Sequence, residues 1–301
     1  DTLVTSPLDE LFDAIHFPHT HPVGQAARQR LEDEKLIAPT HKGRRPLADV
    51  PDIAAFYTRD YNMVPPGFAE RVGMQGGFLL VRPNQTTYDE LLDIVRSGDY
   101  TRGYGMKNGW RGSGFGGHIW GSLTIQGLLG YFFWTPERNT QNIELHRCKF
   151  NQISDNPRRS TFHRKVPRGT PYPEANMTFR DADCRDGRDN CDDVQCQTWP
   201  IEDTRLVHYT ACKKPWTCPG VQYNATWNMV GCRAMHRAWF LVRQSLQKEM
   251  LSRYREAIGH TDSNDRDGVE IIVRNNSGTH NPELQFGYCN EKGPKGYITM
   301  F

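Results

Sequence analysis

Apolar residues fall in helical rhythm at several places along the chain, with short strand-like runs between them. SPLDELFDAI (6–15) places apolar residues at 8, 11, 12 and 15 behind Ser6 and a Pro, which predicts a short amphipathic helix. TLV before it is strand-like. MQGGFLLVRP (74–83) enters through a glycine pair and closes on Pro, which predicts a buried strand. NQTTYDELLDIVRSG (84–98) follows, apolar at 88, 91, 92, 94 and 95 and stopped by Gly98, so a helix succeeds the strand as in a βα unit of an α/β sheet. SLTIQGLLGYFFW (122–134) reads as a buried helix. The longest helical pattern is 226–258.

Between these elements the pattern fades. Residues 16–66 are rich in His, Pro, Arg and Lys, with one possible helix around 24–36, and read as a long surface excursion. Residues 99–122 hold many glycines with Trp110, Phe115 and Trp120, either a surface that stacks on a flat polar ligand or a connector with core aromatics. CKFNQISDNPRR (148–159) reads as a strand entering a loop, and 180–199 as an acidic loop stapled by cysteines. The tail, 259–301, is polar with strand-like pieces such as VEIIV. HFPHTH (16–21) and KGRR (42–45) read as solvated surface segments. Neither the Asp-rich 180–199 stretch nor DSNDRDG (262–268) has the acceptor spacing of a calcium loop.

Composition adds limits. The 301 residues carry a net charge of +2, so no global field argues for nucleic acid or an anionic membrane. No apolar run approaches the roughly 20 residues of a spanning helix, and membrane attachment is expected only through an anchor ahead of Asp1. The start at Asp1 reads as a processed or incomplete chain. Eight cysteines lack any CxxC pair, so a structural zinc site is not expected. Cys184, Cys191, Cys196, Cys212 and Cys218 are candidates for disulfides, and a Cys212–Cys218 bridge would rigidify the loop between them. With sequons at Asn84, Asn176, Asn224 and Asn275, the cysteines point to the lumen of the secretory pathway (Golgi or ER) or to the cell exterior.

The chemistry gathers at LVHYTACKKPW (206–216). His208 ends a strand, where open α/β sheets bind ligands, and a neutral imidazole there can ligate a divalent cation. Lys214, one loop later, can neutralise a phosphate. The string H-[FY]-x-x-x-x-K-P-W resembles the C-terminal signature of the glycogenin-like family of retaining glycosyltransferases. By that resemblance His208 binds manganese and Lys214 contacts the donor diphosphate, with Ala211 standing where the family has a phosphate-facing Gly. DTLVTSPLDELFD (1–13) resembles the segment after the family's Asp-x-Asp metal motif, so Asp1 corresponds to its second aspartate. MQGGFLLVRPNQTTYDELLDIV resembles the strand-helix unit whose turn faces the donor sugar, with Gln75 and Gly77 at the turn positions. IQGLLGYFF (125–133) resembles the Asp-Gln-Gly helix start, with Ile125 in place of the Asp and Gln126 and Gly127 retained.

The resemblance implies a type A glycosyltransferase fold, α/β and Rossmann-like, with a disulfide-stapled C-terminal extension. Residues 1–225 are expected to form that domain, its uridine pocket lying upstream of Asp1, and 226–301 a helix and polar tail packed on it. It implies transfer of a hexose-type sugar from a UDP-sugar to a glycan or glycoprotein acceptor, with Mn2+ or Mg2+ and retention of configuration. Asp1 and His208 would hold the metal; Lys214, Gly77, Ala211 and Asp155 the donor. Gln75 and Gln126 would serve at the reacting centre. No enzymic nucleophile stands at the expected place, which fits front-face attack by the acceptor hydroxyl. Ile125, Ala211 and the abrupt start also fit a second reading, a catalytically silent domain with a binding or structural role.

Overall fold

The computed structural model describes residues 1–39, 46–61, 73–103, 107–113, 121–133, 138, 140–155, 184, 188, 190–210, 212, 214–215, 229–257, 287–290 and 293–299. The architecture is mixed α/β, and the chain divides into two compact units, Asp1–His208 and Tyr209–Phe301. The change of unit therefore falls inside the His-to-Trp string.

In the first unit, β1 (Thr2–Val4) leads to α1 (Asp9–His16) and α2 (Pro22–Asp33). β2 (Ala55–Arg59), β3 (Met74–Val81) and α3 (Gln85–Ser97) follow, then the short pair β4 (Tyr100–Thr101) and β5 (Gly109–Trp110). α4 (Ile125–Phe133), β6 (Asn142–Glu144), α5 (Arg147–Phe150) and β7 (Leu206–His208) complete it. β2 is the central strand of the main sheet, antiparallel to β3 and parallel to β6. Its side chains alternate between two cores. Phe56 joins Leu11, Ile15 and Leu31 of α1 and α2, while Ala55 and Tyr57 join Ile94 of α3 and Leu128 and Phe132 of α4. The sheet thus has helices over both faces, the arrangement that makes a strand buried throughout rather than alternating.

This corrects the reading of 16–66 as surface. Leu31, Leu36, Leu47, Ile53 and Phe56 from that stretch are all in the core. The three histidines of HFPHTH serve the backbone: His21 accepts from Val23 N at the start of α2, His19 contacts Pro51 O, and His16 ends α1. The expected cap of α1 also moves. Thr5 N donates to Arg205 O at 2.9 Å and Arg205 donates to Pro7 O at 3.0 Å, so residues 5–7 are held outside the helix, which begins after Leu8 without a side-chain cap. At 148–150 the expected strand is a single helical turn, with Phe150 N donating to His146 O and Asn151 N to Arg147 O. A disulfide draws Cys148 to Cys196 there. α3 starts and stops as expected, with Asn84 Oδ1 accepting from Thr87 N and Gly98 ending the helix at φ 61°. Trp110 is a core residue, its Nε1 donating to Ser122 O.

In the second unit, α6 (Met229–Ala257) is one long helix and β8 (Gly287–Asn290) pairs antiparallel with β9 (Gly293–Thr299). Cys212 bonds Cys232 of α6, which corrects the expected Cys212–Cys218 bridge. The Tyr209 hydroxyl donates to Met235 O at 2.7 Å, so two contacts tie the segment after His208 to one turn of the helix. Cys218, the VEIIV run, KGRR and DSNDRDG lie outside the described residues.

Candidate functional site

The imidazole of His208 is the centre of a small polar cluster in the first unit. β7 pairs antiparallel with β1, Thr2 opposite His208, and His208 N donates to Gln152 O at 3.0 Å. Two backbone neighbours therefore fix where the ring starts. Its Nδ1 lies 3.0 Å from Asn151 Oδ1 and 3.3 Å from Gln75 Nε2, with all three side chains buried. The two contacts ask opposite things of one nitrogen, because an amide oxygen needs a proton from it and an amide NH2 needs its lone pair. The shorter contact, to Asn151, puts the proton on Nδ1 and leaves the lone pair on Nε2. That tautomer is the one in which a histidine ligates a metal through Nε2 while a second partner holds the ring.

Gln75 and Gly77 belong to β3, where its register against β2 shifts, so the turn expected there is an irregular stretch of strand. Gln75 Oε1 accepts from Gly77 N, and Gly76 N donates to Gln126 Oε1 at 2.7 Å. A Cβ on Gly77 would sit 2.2 Å from His208 Nδ1 and 2.7 Å from Asn151 Oδ1, so only glycine allows the strand to pass so close. Gly127 answers to a similar demand: a Cβ there would meet Ser122 O at 1.8 Å. Segments around 75, 126, 151 and 208 thus converge, and three of the four were picked out by sequence.

Asn151 was not. A lone Asn after a Phe carries no spacing signal, and its role depends on the helical turn that the strand reading missed. Asp155 is buried nearby in sequence and ion-paired with Arg147 at 3.5 Å. Arg147 and Arg59 each lie over the Tyr61 ring, at 5.4 and 5.3 Å, and Arg59 pairs with Glu144. Burial works against the charge of Arg59, and Glu144 together with Tyr61 and Tyr57 more than offsets it, holding the guanidinium well above its ordinary pKa. Ile125 opens α4 with 62% of its surface exposed, directly before Gln126.

Asp1 is exposed, one position before the residue opposite His208. Lys214 belongs to the second unit, partly buried, and burial lowers its pKa. Ala211 lies outside the described residues, as do Asn176, Asn224 and Asn275. Asn84 is exposed, and its cap uses only the side-chain oxygen, leaving the amide nitrogen for a glycan. Among the described residues no three His, Cys, Asp or Glu side chains converge as a metal cage, and no helix is long and apolar enough to cross a membrane. Cys184 bonds Cys191, and with Cys148–Cys196 this staples the acidic loop.

A second histidine has a different environment. His146 is 4% exposed, and its Nε2 donates to Asp193 O at 3.0 Å. Burial pushes its pKa down to about 4. Between that value and the unfolded 6.5, the unfolded chain holds more protons than the folded one, so stability falls as pH drops through this window. The loss should approach ~3 kcal/mol near pH 4. Denaturant titrations of the wild type and His146→Gln at pH 7 and pH 4.5 should show a smaller pH-dependent loss in the variant.

Comparison with protein-family models, curated proteins and solved structures gives no match.

Proposed function

We propose that this chain is a metal-dependent glycosyltransferase, of type A fold, that moves a hexose-type sugar from a UDP-sugar to a glycan or glycoprotein acceptor with retention of configuration. The observation that supports it is the convergence of Gln75, Gly77, Gln126 and His208 on one cluster. These are the positions that the family resemblance assigns to the donor turn, the helix start and the metal-binding string.

The donor set suits Mn2+ or Mg2+. Such cations use one or two carboxylates and leave the rest of their shell to phosphates and waters. Asp1 would supply a carboxylate, and His208 the Nε2 lone pair that Asn151 directs. The bound metal would offset the charge of the leaving diphosphate. By the family resemblance alone, Lys214 and the Ala211 N–H would be assigned to the same phosphates. Asn151 keeps the imidazole in one orientation. Gln126 holds β3 through Gly76 N, and Gln75, Gln126 and Asp155 supply hydrogen bonds to sugar hydroxyls. The three disulfides and the exposed Asn84 sequon fit a luminal or extracellular setting.

One observation favours a second reading. Exposed Ile125 stands where the family has an Asp, and an alkyl group can neither position a hydroxyl nor stabilise positive charge. A silent domain that binds but does not turn over would tolerate it.

A thermal-shift titration of the full-length protein with UDP, with and without manganese, tests both readings. Manganese-dependent stabilisation of about 5–10 °C at saturation is expected, absent in His208→Ala and weakened in Asn151→Ala, which keeps the ring but loses its guide. Stabilisation without turnover of any UDP-sugar would select the silent reading. No shift in the wild type would overturn the donor site.

A further inference from the structure

A cleft of about 650 Å3 opens in the first unit beside a different set of residues, among them Glu32, Lys35, His146, Lys149, Asp193 and Trp199. Its volume lies in the range of about 300–1,000 Å3 typical of ligand sites. None of these six side chains belongs to the His208 cluster.

The walls are fixed covalently and by hydrogen bonds. Cys148–Cys196 ties the segment of His146 and Lys149 to that of Asp193 and Trp199. Ala38 N donates to Glu144 O and His146 N to Leu36 O, both at 2.9 Å, which anchors the third wall. The His146 ring packs on the half-buried Trp199 indole, centroids 4.7 Å apart. With Nε2 donating to Asp193 O, His146 Nδ1 is left an acceptor, and this buried atom has no hydrogen-bond partner. At the lip, Lys35 adopts φ 52°, the left-handed position that ends α2, with Lys35 N donating to Glu32 O and Leu36 N to Leu31 O, a position where glycine fits equally well.

We propose that this cleft is a binding site for a neutral oligosaccharide, separate from the His208 site. A sugar ring offers an apolar face for an indole and hydroxyls that both donate and accept. The cleft presents Trp199 as platform and polar groups at its rim: Glu32, which also accepts from Leu47 N at 2.8 Å, Lys35, and Lys149, which donates to Glu34 O at 2.7 Å, with Asp193 held by Arg188. The lining carries two ammonium and two carboxylate groups, one carboxylate already paired with Arg188, and displacement by inorganic phosphate separates a neutral ligand from an anionic one.

Saturation-transfer NMR on the full chain, without UDP or metal, is the test, with maltotriose, cellotriose and chitotriose as probes. At least one should bind, with affinity falling about tenfold in Trp199→Ala. Lys35→Gly should weaken binding while the melting temperature holds or rises, since glycine relieves the left-handed backbone. A structural role for Lys35 would not separate these two readouts. His208→Ala should bind the same probe unchanged, which keeps this result independent of the transferase reading. Absence of binding by all three probes would overturn the proposal. So would binding that persists in both cleft variants, that is lost in His208→Ala, or that inorganic phosphate displaces.

Discussion

Gly77→Ala should abolish the manganese-dependent UDP response and lower stability well beyond an ordinary surface change. The new methyl carbon would lie 2.2 Å from His208 Nδ1 and 2.7 Å from Asn151 Oδ1, and neither group is a loose end. Both are buried and hold each other. Making room requires the ring or the strand to move, which costs about 1–3 kcal/mol for overpacking and roughly another 1 kcal/mol for the broken hydrogen bond. Gly76→Ala is the control. Its Cβ would approach only the side chain of Gln126, 3.2 Å from its Oε1, at an exposed position of the same strand. Denaturant melts and UDP titrations of the two variants side by side check this: equal effects would show that His208 does not depend on the close passage of β3.

Removing Cys148–Cys196 should cost more still. The bridge spans 48 residues of sequence, and loop closure over that length corresponds to about 4 kcal/mol. For a unit of this size the melting temperature should fall by about 8–16 °C in Cys148→Ala/Cys196→Ala. Cys184→Ala/Cys191→Ala, spanning 7 residues, should lose only about 2–3 kcal/mol. Differential scanning calorimetry of both double variants compares them directly, and a reversed order would mean that native contacts rather than chain closure set the contribution.

How far the sequence carries differs from element to element. α3 was legible because everything that defines it is local: Asn84 caps it, the apolar stripe repeats, and Gly98 stops it. The resemblance drew attention to Gln126, Gly127 and Gly77, and the close approaches of both glycines give a physical reason for glycine there, but the turn it implied at 75–77 is part of β3. β2 was not legible. Its five residues, AFYTR, are buried on both faces, so no alternation marks them, and the surrounding His, Pro and Arg suggest surface. α5 is one turn whose conformation follows from a disulfide partner 48 residues away. Cys212 shows the same limit. Its neighbour in sequence is Cys218, yet its partner is Cys232, on a helix that brings distant positions together. Asn151 went unseen because it acts only once that turn exists and β7 lies beside it.

The pairing of β1 with β7 also sets an order of events during synthesis. Thr5 donates to Thr204 O across 199 residues of chain, and His208 lies opposite Thr2. A ribosome must therefore have released nearly the whole first unit before its first strand finds its last. Contacts of such long range form slowly, because the intervening chain must be ordered first. The imidazole can reach Asn151 and Gln75 only at that closing step. A chain stopped short of β7 would have its three-stranded sheet but not the His208–Asn151 pair, so formation of that pair would report that β7 has joined the fold.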